Sequence, residues 1–260
     1  MKFAKTLTVI ILTFTLLVSF YGLSHAQNTH LSDYQYQLDK YRNNHAEYQN
    51  FKNDYVAHPT LSNEQKAIQS AKQTIASREL AWASYILVLS DSISVSDVTY
   101  PVSDKAVSDL AAIAKYHLGQ ATAVNAVVTR ANLTAFTTNE LKVTAGHKLT
   151  LTQAQVASKI AQLIKFQIDA KTAYDSIVPK LDPVKDEVTV KNGLDQIQTL
   201  STQINNQIST LAQKTMSLNV DQFSANQFYS DSSDALSQIR DNINRLVKVI
   251  IDLDTNYVHH

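Results

Sequence analysis

The 260-residue sequence contains no cysteine, which excludes disulfides, thiol nucleophiles and cysteine-ligated zinc or iron–sulfur centres. Glycine and proline are scarce, four of each, with the glycines at Gly22, Gly119, Gly146 and Gly193. Tight strand hairpins depend on φ > 0 residues, so so few glycines argue against a strand-rich fold. An excess of charge of one sign is missing as well: 23 basic side chains face 23 acidic ones. Lys2 and Lys5 fall in the first 26 residues and no acid does, so the remainder carries 21 basic against 23 acidic. A nucleic-acid binder would show a basic excess, and none is present. Downstream of the N-terminus no apolar run reaches the length that spans a bilayer.

What is present starts with a leader-like segment. Lys2 and Lys5 precede an apolar stretch from Leu7 to Leu23, and Ser24-His25-Ala26 places small residues at the −3 and −1 positions of a signal-peptidase site. The expected cleavage is between Ala26 and Gln27. The alternative is an uncleaved N-terminal anchor, since about 17 apolar residues is the lower edge of a membrane span. Either outcome predicts export, to an extracellular, periplasmic or cell-surface location.

Downstream, hydrophobic residues recur every three to four positions, the period of an amphipathic helix. From Leu31 to Tyr55, Tyr34, Tyr41, Tyr48 and Tyr55 repeat every seven residues, until His58-Pro59 ends the element. A second helix is expected from Ser62, with Gln65 closing a capping box and Ile68, Ile75, Trp82 and Leu89 spaced by seven. The two are expected to form an antiparallel hairpin. A third helix is expected from Ser103, or Asp104, to about Arg130, stapled by Val102 and Val107 and weakened at Gly119. The Thr-rich stretch 131–151, with Gly146, reads as a hinge or linker holding at most a short helix at 139–144. Thr152 and Gln155 form another capping box, with Leu151 facing Val156, so a helix restart is expected there. Asp182-Pro183 reads as an N-cap followed by proline at the first helical position. The stripe Val190, Leu194, Ile197, Ile204, Ile208, Leu211 and Leu218 marks the next helix, and Leu236, Ile239, Ile243, Leu246, Ile250, Leu253 and Tyr257 mark the last. The expected fold is all-α: an elongated bundle of five to six long helices with antiparallel, coiled-coil-like packing. Its expected parts are the leader 1–26, an N-terminal helical region 27–130, the linker 131–151 and a C-terminal helical region 152–260.

Catalytic signatures are absent from the sequence. There is no Gly-x-Ser-x-Gly elbow, no phosphate loop and no dinucleotide fingerprint. Eight histidines include no His-Glu-x-x-His and no Glu-x-x-His pair of the di-iron type. His45 lies on the tyrosine stripe, where packing accounts for it, and His259-His260 is a tail. Acid groups such as Asp182, Asp186 and Glu187, or Asp231 and Asp234, sit where helix N-termini attract acids without catalysis. No enzyme, cofactor or metal site is expected. The one feature above background is five tyrosines, Tyr34, Tyr36, Tyr41, Tyr48 and Tyr55, within 22 residues. They fill a wide seam or form a face for a protein partner or for self-association, and Tyr36, off the seam, separates the two readings.

The residues Tyr34-Gln35-Tyr36, Tyr41-Arg42, Glu47-Tyr48 and Lys52-Asn53-Asp54-Tyr55, continuing into Ala67 to Leu89, make the N-terminal pair resemble exported helical proteins of unassigned function encoded by small-genome bacteria. The resemblance covers about a quarter of the chain and implies bacterial origin and export; it carries no catalytic or binding residues. The leading expectation is an exported scaffold or protein-interaction module. Two alternatives are a membrane-acting, pore-forming-like protein, suggested by the Ala/Val-rich segment Val107 to Val128, and an N-terminally anchored extracytoplasmic sensor or assembly factor. In the pore-forming reading, Asp109, Lys115 and His117 would be costly in lipid.

Overall fold

The structure, a computed structural model, describes residues 25–94, 101–218 and 225–258. The expected leader up to residue 24 lies outside the described residues, and the expected cleavage point between Ala26 and Gln27 falls in the first turn of the first helix. Six α-helices account for nearly everything described, and no strand is found among the described residues. They are α1 (His25–Ala57), α2 (Leu61–Ser94), α3 (Pro101–Ala123), α4 (Arg130–Leu181), α5 (Val188–Met216) and α6 (Ala225–Tyr257), with 3-10 turns at Val124–Ala126 and Asp182–Val184. The all-α bundle expected from the sequence is therefore the fold.

Side-chain pairs give the directions of packing. His30 meets Asp91 and Asn44 meets Ser77, so α1 and α2 form the expected antiparallel hairpin. His117 meets Glu79 and Lys72 reaches the carbonyl of Asn125, which makes α3 antiparallel to α2. Arg78 meets Glu140 and Tyr85 meets Gln155, so α4 runs parallel to α2. Gln153 bonds the Thr215 carbonyl and Gln167 bonds Asn205, setting α5 antiparallel to α4; Asn242 bonds Gln207, with Lys214 near Asp231, setting α6 antiparallel to α5.

The spine of this arrangement is α4, whose 52 residues span about 78 Å at 1.5 Å per residue. Its first half lies on α2 and α3, and its second half on α5 and α6. The expected linker at 131–151 and the expected restart at Thr152 are both overturned, because one continuous helix passes through them. The Thr129 hydroxyl caps it, accepting from the Asn132 amide at 3.1 Å. The hydroxyls of Thr134, Thr137, Thr144 and Thr152 donate to carbonyls four residues back, at 2.9–3.1 Å. Threonine that bonds its own helix this way no longer competes with it, so the run stays helical.

Other boundaries also move. Thr60, not Ser62, caps α2, its hydroxyl accepting from the Asn63 amide at 3.2 Å, while the Asn63 side chain bonds the His58 carbonyl at 2.9 Å. The third helix starts at Pro101, passes Gly119 unbroken and tightens into a 3-10 turn at Val124. α4 continues past Pro179 to Leu181, and Asp182-Pro183 opens a 3-10 turn rather than a helix; α5 follows from Glu187 with no side-chain cap.

The buried apolar residues form one long core from Tyr85 and Ile93 on α2 through Val156 and Ile160 on α4 to Ile204, Ile239 and Leu253. A second, small core lies apart: Ile75, Val124 and Val127, covered by Leu133 and Phe136.

Candidate functional site

Between these two cores the seams of three helices carry polar and ionisable side chains among small apolar ones. On α2, Ile75 belongs to the small core and Tyr85 and Ile86 to the large one, and Arg78, Glu79 and Trp82 fall between. On α3, Ile113 and Ala114 belong to the large core and Val124 lies in the small one, with His117 between. On α4, Leu133 and Phe136 cover the small core and Val156 enters the large one, with Glu140 and His147 between. Each of these polar residues occupies a position in the three-to-four repeat where an apolar side chain would continue the seam. The result is an ionisable layer across a three-helix bundle.

Its geometry is closed. Arg78 donates from Nε to Glu79 Oε1 at 2.9 Å and from Nη2 to Glu140 Oε2. His117 Nδ1 lies 2.6 Å from Glu79 Oε2. An ionised carboxylate only accepts, so Nδ1 carries the proton and Nε2 points away from Glu79. Trp82 stacks on the His117 ring at 5.9 Å and 17°, while Tyr116 and His147 stand edge-on to it at 5.4 and 5.6 Å. Glu79, His117 and Glu140 are buried, and Arg78 keeps about a quarter of its side chain exposed (26%). The Tyr116 hydroxyl and His147 Nδ1 are buried atoms without a hydrogen-bond partner.

Burial and charge pull the acids apart. Burial would raise the Glu79 carboxyl, but the His117 hydrogen bond and the Arg78 charge outweigh it and hold the group below the usual carboxylate range. Burial pushes Glu140 up to about 7, opposed by Arg78 and reinforced by the Glu79 charge. The same burial lowers His147, with His117 adding to it, and raises Tyr116, with both glutamates adding to it. No group of three or more histidine or acid side chains among the described residues has the geometry to hold a metal ion. What the arrangement can do chemically is hold a proton among largely buried acid, guanidinium and imidazole groups.

The five tyrosines lie on α1, whose one substantial neighbour is α2. Tyr34 reaches the large core, its ring 5.7 Å from Tyr85. Tyr41 is half-buried beside His45 at 5.9 Å, and burial raises its hydroxyl while the nearby Arg78 charge opposes that. Tyr48 and Tyr55 are half-buried on the same seam, and Tyr36 is 63% exposed. Seam and ionisable layer meet at Arg78, with Thr74 donating to the Asn44 carbonyl at 2.9 Å alongside.

The tyrosine repeat is legible in the sequence and the ionisable layer is not. The histidines looked scattered because His117 and His147 lie 30 residues apart, and only the packing of α3 on α4 brings them together. The available signal was an ionisable residue in a seam position on each of three consecutive helices. No protein-family model matches the chain, and no curated protein or solved structure is similar to it, so the functional reading rests on this geometry.

Proposed function

We propose that the chain is an exported helical scaffold that binds a protein partner, or a second copy of itself, along the open side of α1. The supporting observation is the status of α1: none of its described side chains is buried, its half-buried residues face α2, and its outer side is polar apart from Tyr36 and, near its end, Val56. An amphipathic ring at low entropic cost is what protein interfaces use as an anchor. The mixed charges around it, Asp33, Asp39, Lys40 and Arg42, suit a polar rim. The leader-like segment supports export.

The membrane-acting alternative finds no comparable support. Leu110, Ile113, Ala114 and Ala121 of the Ala/Val-rich segment are buried within the bundle, and among the described residues no helix is long and apolar enough to cross a membrane. Light scattering coupled to size-exclusion chromatography, with affinity capture from envelope extracts, tests the scaffold reading. Association that Tyr36→Ser weakens supports it, and a strictly monomeric chain that retains no partner defeats it.

A further inference from the structure

The ionisable layer holds two carboxylates, Glu79 and Glu140, and one guanidinium, Arg78; among the described residues the other ion-pairing contact to these acids is the His117 ring on Glu79. With all three charged, Arg78, Glu79 and Glu140 together carry one net negative charge in a buried place. One more proton makes it neutral, and the Glu140 carboxyl, bonded to the guanidinium that Glu79 also holds, is placed to take it. An uncompensated buried charge is among the costliest defects in a protein interior, so closure of the layer and retention of that proton are linked. The part of the fold that depends on the layer is also defined. Before Leu149, Glu140 is the one buried residue of α4, and the arm is otherwise attached through Leu133 and Phe136 on the small core and the His147 ring against Tyr116 and His117.

We propose that this layer is a one-proton latch: it clamps the first half of α4, residues 130–148, onto α2 and α3 while the proton is held, and loosens that arm when the proton leaves. The groups facing Glu140 are Arg78 and Glu79 from α2, Tyr116 and His117 from α3, and His147 from its own helix. Only Arg78 among them is a permanent cation, and it is shared with Glu79. Loss of the proton therefore leaves two carboxylates competing for one guanidinium. Opening exposes the small apolar core of Ile75, Val124 and Val127, so a pH change is converted into a new apolar surface.

A reporter is built in, because the chain has a single tryptophan and Trp82 stacks on His117. The experiment follows Trp82 emission and amide-exchange protection of the full chain between about pH 5 and pH 9, with exchange corrected for its intrinsic pH dependence. Expected are one emission transition near neutrality and, across it, a loss of protection of about tenfold or more in residues 130–148 while α5 and α6 hold theirs. In Glu140→Gln the layer is neutral with Arg78 and Glu79 alone, so the protection change disappears. Flat emission and protection in the wild type, protection falling equally in α5 and α6, or an unchanged pH response in Glu140→Gln each overturn the latch. Should that variant not fold, carbon-13 titration of wild-type glutamate carboxyls decides: a buried glutamate titrating well above the ordinary carboxylate range supports the latch, and its absence overturns it.

Discussion

Where α6 lies on α5 and the second half of α4, its seam is Leu236, Ile239, Ile243, Leu246, Ile250 and Leu253, every one of them buried. Where the first half of α4 lies on α2 and α3, the seam passes from Leu133 and Phe136 to Glu140 and His147, facing Glu79 and His117. Both ends use the same helix periodicity, yet the apolar end gains from burial without geometric demands, whereas the ionisable end is stable only with every charge partnered. Helix spacing thus decides the architecture, and residue chemistry at the seam decides which end is robust. The largest effect that would test this is Ile239→Ala, at a site with no exposure. It should cost about 4 kcal/mol in denaturant melts. Ile75→Ala, in the three-residue small core, should cost clearly less. The reverse order would break the comparison.

Next in size is Arg78→Met, which keeps the packing stem and removes the guanidinium. It leaves Glu79 and Glu140 without their shared cation and should cost about 3 kcal/mol near pH 8. Near pH 5 the cost should shrink, because Glu140 can then take a proton. The wild-type pH profile follows from the same groups. Glu140 is raised in the folded chain from 4.5 to about 7, so the folded state holds the extra proton and stability falls as pH rises through that window, by at most about 3 kcal/mol. His147 is lowered from 6.5, so its contribution has the opposite sign and is lost as pH falls below 6.5. Glu79 is lowered from 4.5, and its contribution is lost only at more acid pH. Above about pH 6.5 the Glu140 term acts alone, and thermal melts should show a falling limb that Glu140→Gln removes.

These contrasts also show what a sequence can and cannot carry. The α6 stripe was readable because all six seam residues are aliphatic, and the α1–α2 hairpin because tyrosines repeat every seven residues until Pro59. α4 was unreadable as one helix for the reason that makes it interesting: Glu140 and His147 interrupt its apolar stripe, and threonine resembles loop chemistry until its hydroxyl is seen bonding the helix carbonyls. The ionisable layer was beyond local patterns altogether. Glu79, His117 and Glu140 come from three helices, and their meeting depends on the register of α3 and α4 against α2, which a single sequence does not encode in any short window.

Glycine sharpens the comparison at smaller energy. Gly119 on α3 and Gly146 on α4 have open space where a Cβ would stand, so alanine at either should stabilise by about 0.5–1 kcal/mol through helix propensity. At Gly193 on α5 the same Cβ would lie 3.0 Å from Leu253 Cδ2 and 3.2 Å from its Cδ1. Leu253 is buried, so Gly193→Ala should gain nothing or lose stability in the same melts. Tight apolar packing punishes an added methyl that the polar end accepts.

The smallest expected effect on stability is Tyr36→Ser. With 63% of Tyr36 exposed on a helix that buries no described side chain, its removal should change stability by less than about 0.5 kcal/mol. Tyr34→Ser, which removes a ring packed 5.7 Å from Tyr85, should cost more, because that ring extends the large core. The two substitutions separate the roles of one tyrosine cluster. If α1 is an interaction arm, Tyr36→Ser weakens association while the melt stays put, and Tyr34→Ser moves the melt first. Equal shifts in both melts would mean that the whole tyrosine set serves the fold, leaving α1 without a free face for a partner.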